Sequence, residues 1–367
     1  MIEAWQTRRA SLMDAAVADR PALEGRVMDG PIGARPVRMT WPRRLAAGTV
    51  PTQPLRQPSM ARRVGAGVLC AGLAALGATV VYRLIERPRR TVPQQAREPE
   101  HVSAARYLNG AAAVLSFSVL TDSAMEHYRG AYHNPAMYLA PTVAASALAN
   151  SIHMTVTPEH FGIARTMLAG IALATGLSGF GFHTYNLAKR EGGLNLLNLF
   201  YGAPLGAPWA ITLSGLAGLA ASRLVAESEQ NQPGRLLGLP AGHLLAWGTV
   251  AGLIGTVAEA GLLHFRGAFH DPFMFLPVTL PPLTAVVLAL AAVNPDFAGW
   301  AKRLLQATAA MGMAGAGFHA HGVSRNMGGF YNSSQNILNG PPLPAPPSFS
   351  GVALAGLGAI KLMEAHQ

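Results

Sequence analysis

Two stretches of this chain repeat the same residues able to hold a metal ion, a proton or an anion. Residues 127–139 read His-Tyr-Arg-Gly-Ala-Tyr-His-Asn-Pro-Ala-Met-Tyr-Leu, and residues 264–276 read His-Phe-Arg-Gly-Ala-Phe-His-Asp-Pro-Phe-Met-Phe-Leu. A second phrase follows each copy, Gly-Phe-Gly-Phe-His at 179–183 and Gly-Ala-Gly-Phe-His at 315–319, and then a Gly-Gly pair at 192–193 and 328–329. The doubled histidines are His127, His133 and His183 in one copy and His264, His270 and His319 in the other. Neutral imidazole ligates haem iron, copper and zinc, and its charge changes near neutral pH. Three imidazoles from three helix ends could converge on haem or a transition metal. The plainer reading is that each caps a helix end and hydrogen-bonds an interfacial carbonyl.

Arg129 and Arg266 belong to the same phrase. A guanidinium fork suits a carboxylate, a phosphate or a quinone carbonyl, or it snorkels to lipid headgroups. Asp122 and Glu259 stand five residues before His127 and His264, while Glu126 faces Leu263 at the matching position. A carboxylate about a turn from an imidazole can orient it or pass it a proton. The glycine after each arginine permits a sharp turn, and Pro135 and Pro272 suit the first turn of a following helix.

The elements that carry these groups follow from composition. Only 13% of residues are charged and 50% are hydrophobic, in long apolar blocks parted by short polar loops. That pattern belongs to a polytopic membrane protein. The net charge of +10 is concentrated in arginine: eleven lie in the first 63 residues, with another group at Arg83, Arg87, Arg89, Arg90 and Arg97. Their placement reads as headgroup contact and topology setting, not nucleic-acid binding. Cys70 is the single cysteine, so disulfides within the chain and cysteine metal clusters are excluded.

The expected fold class is all-α, a polytopic membrane helical bundle. Nine apolar segments are predicted, at 64–82, 107–126, 135–152, 162–184, 207–225, 243–264, 273–293, 302–320 and 348–363. Residues 1–62 form an Arg/Pro-rich tail, with Met60 an alternative start, and 63–105 hold a first span and a basic linker. Residues 106–230 and 231–367 form two tandem four-helix repeats. An even helix count per repeat gives both the same sense, with a pseudo-twofold axis along the membrane normal. All six histidines then share one face. The linker, Arg223, Arg235, Lys302 and Arg303 fall on the other, which the positive-inside rule makes cytoplasmic. The histidine face is thus expected to be periplasmic, in a bacterial inner membrane.

The glycines Gly176, Gly179 and Gly181, with Gly312, Gly315 and Gly317, predict close helix packing. Pro-Leu-x-Ala-Pro at 204–208 and 342–346 predicts stiff extended stretches, with Asn198 and Asn336 hydrogen-bonding ahead of them. A partner subunit is expected on the Pro-rich loops 184–206 and 320–347. The plan of two four-helix units resembles, at the level of the fold, quinone-reactive membrane subunits of respiratory oxidoreductases. Three functions follow as expectations. One is a redox subunit with a quinone, haem or metal site, in which Asp122 and Glu259 carry protons and Arg129 and Arg266 stabilise charge. The others are a small-solute or ion transporter built from parallel repeats and a non-catalytic scaffold.

Overall fold

The computed structural model describes residues 98–157, 162–202, 204–230 and 234–365. The expected tail, the first span with Cys70, most of the basic linker and the Glu159-His160 pair lie outside the described residues.

The described chain is helical throughout, apart from a two-stranded hairpin. Its helices are α1 (Glu98–Arg129), α2 (Leu139–Val156), α3 (Ile163–Ala188), the short α4 (Leu196–Tyr201) and α5 (Gly206–Glu229). After strands β1 (Arg235–Leu236) and β2 (Leu239–Pro240) come α6 (Ala241–Arg266), α7 (Leu276–Ala291), α8 (Ala298–Arg325), the short α9 (Ser333–Asn336) and α10 (Pro347–Glu364). Alanine and leucine dominate the long helices and carry little entropic penalty there. Prolines mark their starts: Pro135, Pro272 and Pro295 each open a 3-10 turn whose preceding Asn134, Asp271 or Asn294 accepts a backbone N–H.

α1 and α3 each pack against both α2 and α5. α6 and α8 likewise each pack against both α7 and α10. α1 also runs along α10, and α5 touches α6, so the two groups share a seam. α5 is enclosed nearly all round, which explains why it is apolar on every side.

Four helices are long and apolar enough to cross a membrane: Ile163–Ala188, Gly206–Glu229, Ala241–Arg266 and Pro272–Ala291. Three of them keep large apolar side chains on their exposed sides as well. Ile163, Met167 and Ile171 form one such stripe on α3, and Leu283, Val286 and Leu290 another on α7. Apolar area of this kind is costly in water, at roughly 25 cal/mol per Å², and favourable against lipid. Other expected spans fall short for physical reasons. α1 interrupts its apolar run with Asn109, Ser116, Ser118 and Asp122, α8 with Gln306, several glycines, His319 and His321, and α2 is rich in Ala, Ser and Thr.

Small residues set the seams. A Cβ on Gly215 would lie 2.7 Å from the Ala169 carbonyl oxygen on α3, and one on Gly351 would lie 2.6 Å from Leu115 Cγ on α1. The expected packing role of the α3 and α8 glycines is met at Gly176, Gly179, Gly312 and Gly315, which abut the starts of α5 and α10. Gly317 has nothing near it. Hydroxyls tie helices where apolar packing does not: Ser116 to Ser214 at 2.7 Å between α1 and α5, and Thr284 to Thr308 at 2.8 Å between α7 and α8. Gly215→Ala is therefore expected to cost about 1–3 kcal/mol of thermal stability in detergent. Gly248→Ala, on an open face of α6, is expected to be neutral or to stabilise by up to about 1 kcal/mol.

Candidate functional site

Both copies of the repeated phrase fold the same way. After α1, Gly130 N–H bonds the Glu126 carbonyl, Ala131 N–H that of Tyr128 and Tyr132 N–H that of His127. After α6, Gly267, Ala268 and Phe269 make the matching bonds to Leu263, Phe265 and His264. This winding forces two successive residues into the left-handed region: Ala131 and Tyr132 at φ 56° and 45°, Ala268 and Phe269 at 55° and 45°. Non-glycine residues pay about 1–3 kcal/mol each for such conformations. Aromatic stacking holds them there. Tyr132 lies on Tyr138 with centroids 4.3 Å apart, and Phe269 on Phe275 at 4.6 Å. The tips of Met137 and Met274 sit on the glycines, where a Cβ would come within 2.9 Å of either Cε and the methionine tip would have to shift.

The reversal brings backbone carbonyls back onto the histidines. His127 Nδ1 meets the Met137 carbonyl at 2.5 Å, and His264 Nδ1 meets that of Met274 at 2.7 Å. His183 and His319, near the ends of α3 and α8, do the same with Pro204 and Pro342. A carbonyl can only accept, so each Nδ1 carries a proton, and in the neutral tautomer the lone pair is at Nε2. Among the described residues no side chain or backbone group bonds any of these four Nε2 atoms. His127 and His183 lie within electrostatic range of each other, as do His264 and His319.

His133 and His270 do not join them, which corrects the expected three-imidazole convergence. Each is exposed and bonds its own loop, through Nδ1 to the carbonyl of Gly130 or Gly267 at 2.9 Å. Among the described residues no three His, Cys, Asp or Glu side chains are grouped to hold a metal ion.

The carboxylates belong to the two different helix groups. Asp122 lies within electrostatic range of Glu259, Glu126 and Arg129. Glu259 accepts the backbone N–H of Gly206 at the start of α5, and a Cβ at Gly206 would collide with its carboxyl group. The partial positive charge of that helix end favours the carboxylate. The matching residue in the second Pro-Leu-x-Ala-Pro is Pro344, which has no N–H to give.

The arginines also differ. Arg129 pairs with Glu126 at 2.5 Å, both well exposed. Arg266 lies over the rings of Phe200 and Tyr201 on α4, at 5.6 and 5.4 Å, reaching across from the other helix group. Asn198 and Asn336 bond their own loops as expected, to Gly193 at 2.6 Å and Gly329 at 2.8 Å. The Pro-Leu-x-Ala-Pro stretches are not extended, contrary to expectation. Leu205 and Pro346 are helical in backbone angle and lead straight into α5 and α10, as proline's fixed φ favours.

Sequence reasoning offered an interfacial carbonyl for each imidazole but did not identify which four carbonyls they are. The signal was present for two of them, because Pro204 and Pro342 follow His183 and His319 by 21 and 23 residues in the duplicated phrase. Glu259→Ala strands the Gly206 N–H and is expected to cost about 1–3 kcal/mol. Gly206→Ala is expected to cost a similar amount, by displacing the carboxyl group. In a double-mutant cycle read by thermal unfolding, the pair should cost clearly less than the sum of the single changes. No protein-family model matches this sequence, and no curated protein or solved structure shows significant similarity to it.

Proposed function

We propose that this chain is the membrane subunit of a bacterial redox complex and that its two histidine pairs hold a metal-centred cofactor, haem being the best fit. The observation that carries the reading is the common state of His127, His183, His264 and His319: Nδ1–H fixed on a backbone carbonyl, Nε2 left as a lone pair. Metal-binding histidines are fixed in this way, with the second nitrogen oriented by a carbonyl or carboxylate. Two imidazoles do not complete a zinc or copper site. A haem would need no further protein ligand than such a pair, His127 with His183 or His264 with His319, and would supply one-electron redox chemistry. The same tautomer could accept from a quinol hydroxyl but not donate to a quinone carbonyl.

The chain's own residues have separable roles in this reading. Met137, Met274, Pro204 and Pro342 set the ring orientation through their carbonyls. Asp122 and Glu259 hold and pass protons beside the pairs. Arg129 and Arg266 supply positive potential at the rim, the first tempered by Glu126. The architecture proposed with it is nine spans, one N-terminal and eight in two tandem four-helix units, in a bacterial inner membrane. The histidine rim would face the periplasm, since Arg223, Arg235, Lys302 and Arg303 belong to the opposite end.

A transporter is the second reading, and the placing of Asp122 and Glu259 on the two different helix groups, within electrostatic range of each other, favours it. Against it, transporter sites lie near the bilayer midplane between broken helices, whereas these carboxylates belong to unbroken helices close to one end.

The test is an optical spectrum and metal analysis of the protein purified in detergent from its native membrane. A Soret band, with iron in proportion to the imidazole pairs, is the expected result. His183→Ala and His319→Ala should each remove the absorbance of one pair and leave the other. Colourless, metal-free protein would overturn the proposal. Vesicle uptake abolished by Asp122→Asn would then favour transport.

A further inference from the structure

We infer that the loops 189–205 and 326–346 lie in the headgroup–acyl boundary of the bilayer, anchoring the histidine-bearing end of the protein to anionic lipid. The first observation is that their amphipathicity is inverted. Asn198 and Asn336 turn inward and are spent on the loops' own carbonyls. The apolar side chains point out instead: Leu194, Leu196 and Leu197 are 61%, 82% and 67% exposed, and Met327, Phe330 and Tyr331 are 92%, 49% and 102% exposed. A surface loop in water selects the opposite arrangement.

The second observation is where these tips stand. Each loop leaves the end of a helix that carries an exposed phenylalanine two turns or less from its last residues, Phe182 on α3 and Phe318 on α8. The tips therefore add to aromatic groups already exposed near the same end, with polar and basic residues between them. Aromatic residues at such ends are the mark of the membrane–water boundary.

The third is charge. Lys189 and Arg190 open the first loop and Arg325 immediately precedes the second, all exposed. Glu191 is the single acidic residue in 189–205, and 326–346 contains none. Basic groups flanking an apolar tip are what an amphipathic segment needs to bind anionic headgroups while its apolar side enters the acyl boundary. A partner subunit seated on the same tips is the competing occupant. It accounts for the apolar tips but does not call for the exposed Lys189, Arg190 and Arg325 beside them, which anionic headgroups do.

The experiment uses the full chain with Cys70→Ser and single spin labels at Leu197→Cys, Phe330→Cys and, as a control at the opposite end, Asp296→Cys. The protein is reconstituted in vesicles of phosphatidylcholine and phosphatidylglycerol. Lipid-partitioning oxygen is expected to relax the labels at 197 and 330 several-fold more than a water-soluble nickel chelate does, with the reverse order at 296. Replacing the phosphatidylglycerol with phosphatidylcholine should move both labels toward water. Labels at 197 and 330 as water-accessible as the one at 296 would overturn the inference. Labels open to water in vesicles yet shielded in native membranes would also overturn it, in favour of a protein partner.

Discussion

The carbonyl that faces each imidazole Nδ1 is the constraint on which the rest of this end of the molecule depends. For His127 and His264 that carbonyl arrives only because the chain reverses within a few residues of the helix end, through two left-handed residues in succession. Everything else in the phrase serves the reversal. Glycine makes room for a methionine tip, the asparagine or aspartate accepts a backbone N–H at the 3-10 turn, and proline starts that turn. The stacked ring pair holds residues that would otherwise relax out of the left-handed region, and the histidine packs edge-on against the nearer ring at 6.0 or 6.1 Å. Tyr/Phe exchange is tolerated because the stack needs a flat ring and no hydroxyl. Asn/Asp exchange is tolerated because the cap needs only an acceptor oxygen.

The same logic separates what the two copies share from what they do not. The turn, the imidazoles and the carbonyls recur almost atom for atom. The charged groups around them do not. Glu126 neutralises Arg129, whereas Leu263 stands in its place and leaves Arg266 to the faces of Phe200 and Tyr201. Gly206 gives its N–H to Glu259, whereas proline at 344 cannot offer one. The two pairs of imidazoles therefore sit in different electrostatic settings built on one backbone. Such a difference would give two bound centres unequal potentials, since nearby uncompensated carboxylate favours the more positive oxidation state of a metal.

What could be read from residues alone tracks how local the determinant is. The turn was legible because Gly, Pro and a capping acceptor act within a few residues of themselves. The small-residue seams at Gly176 and Gly312 were legible because close helix contact needs a missing Cβ on one partner. His133 was misassigned to the convergence: it makes the same kind of bond through Nδ1 but from an exposed loop position, and no three ligating side chains are grouped among the described residues. The seating of Arg266 on α4 was not legible, because it joins residues 65 or more apart through the fold. Hydropathy told most where a helix is bare of charge, as in α7. It told less where polar groups are hidden at seams, such as Ser116 and Ser214 inside the contact of α1 with α5.

A purely structural role leaves one feature without a cause. An imidazole that only ties a helix end to a carbonyl needs one donor, and an asparagine or glutamine amide would supply it. Histidine adds a second nitrogen, and among the described residues none of these four Nε2 atoms has a protein partner. The arrangement recurs at four half-buried positions, on α1, α3, α6 and α8, with Nδ1 tied each time. In the proposed reading an electron-pair acceptor at Nε2 supplies that cause, and it would also account for the retention of these four rings and their carbonyls while charge and polarity differ between the copies.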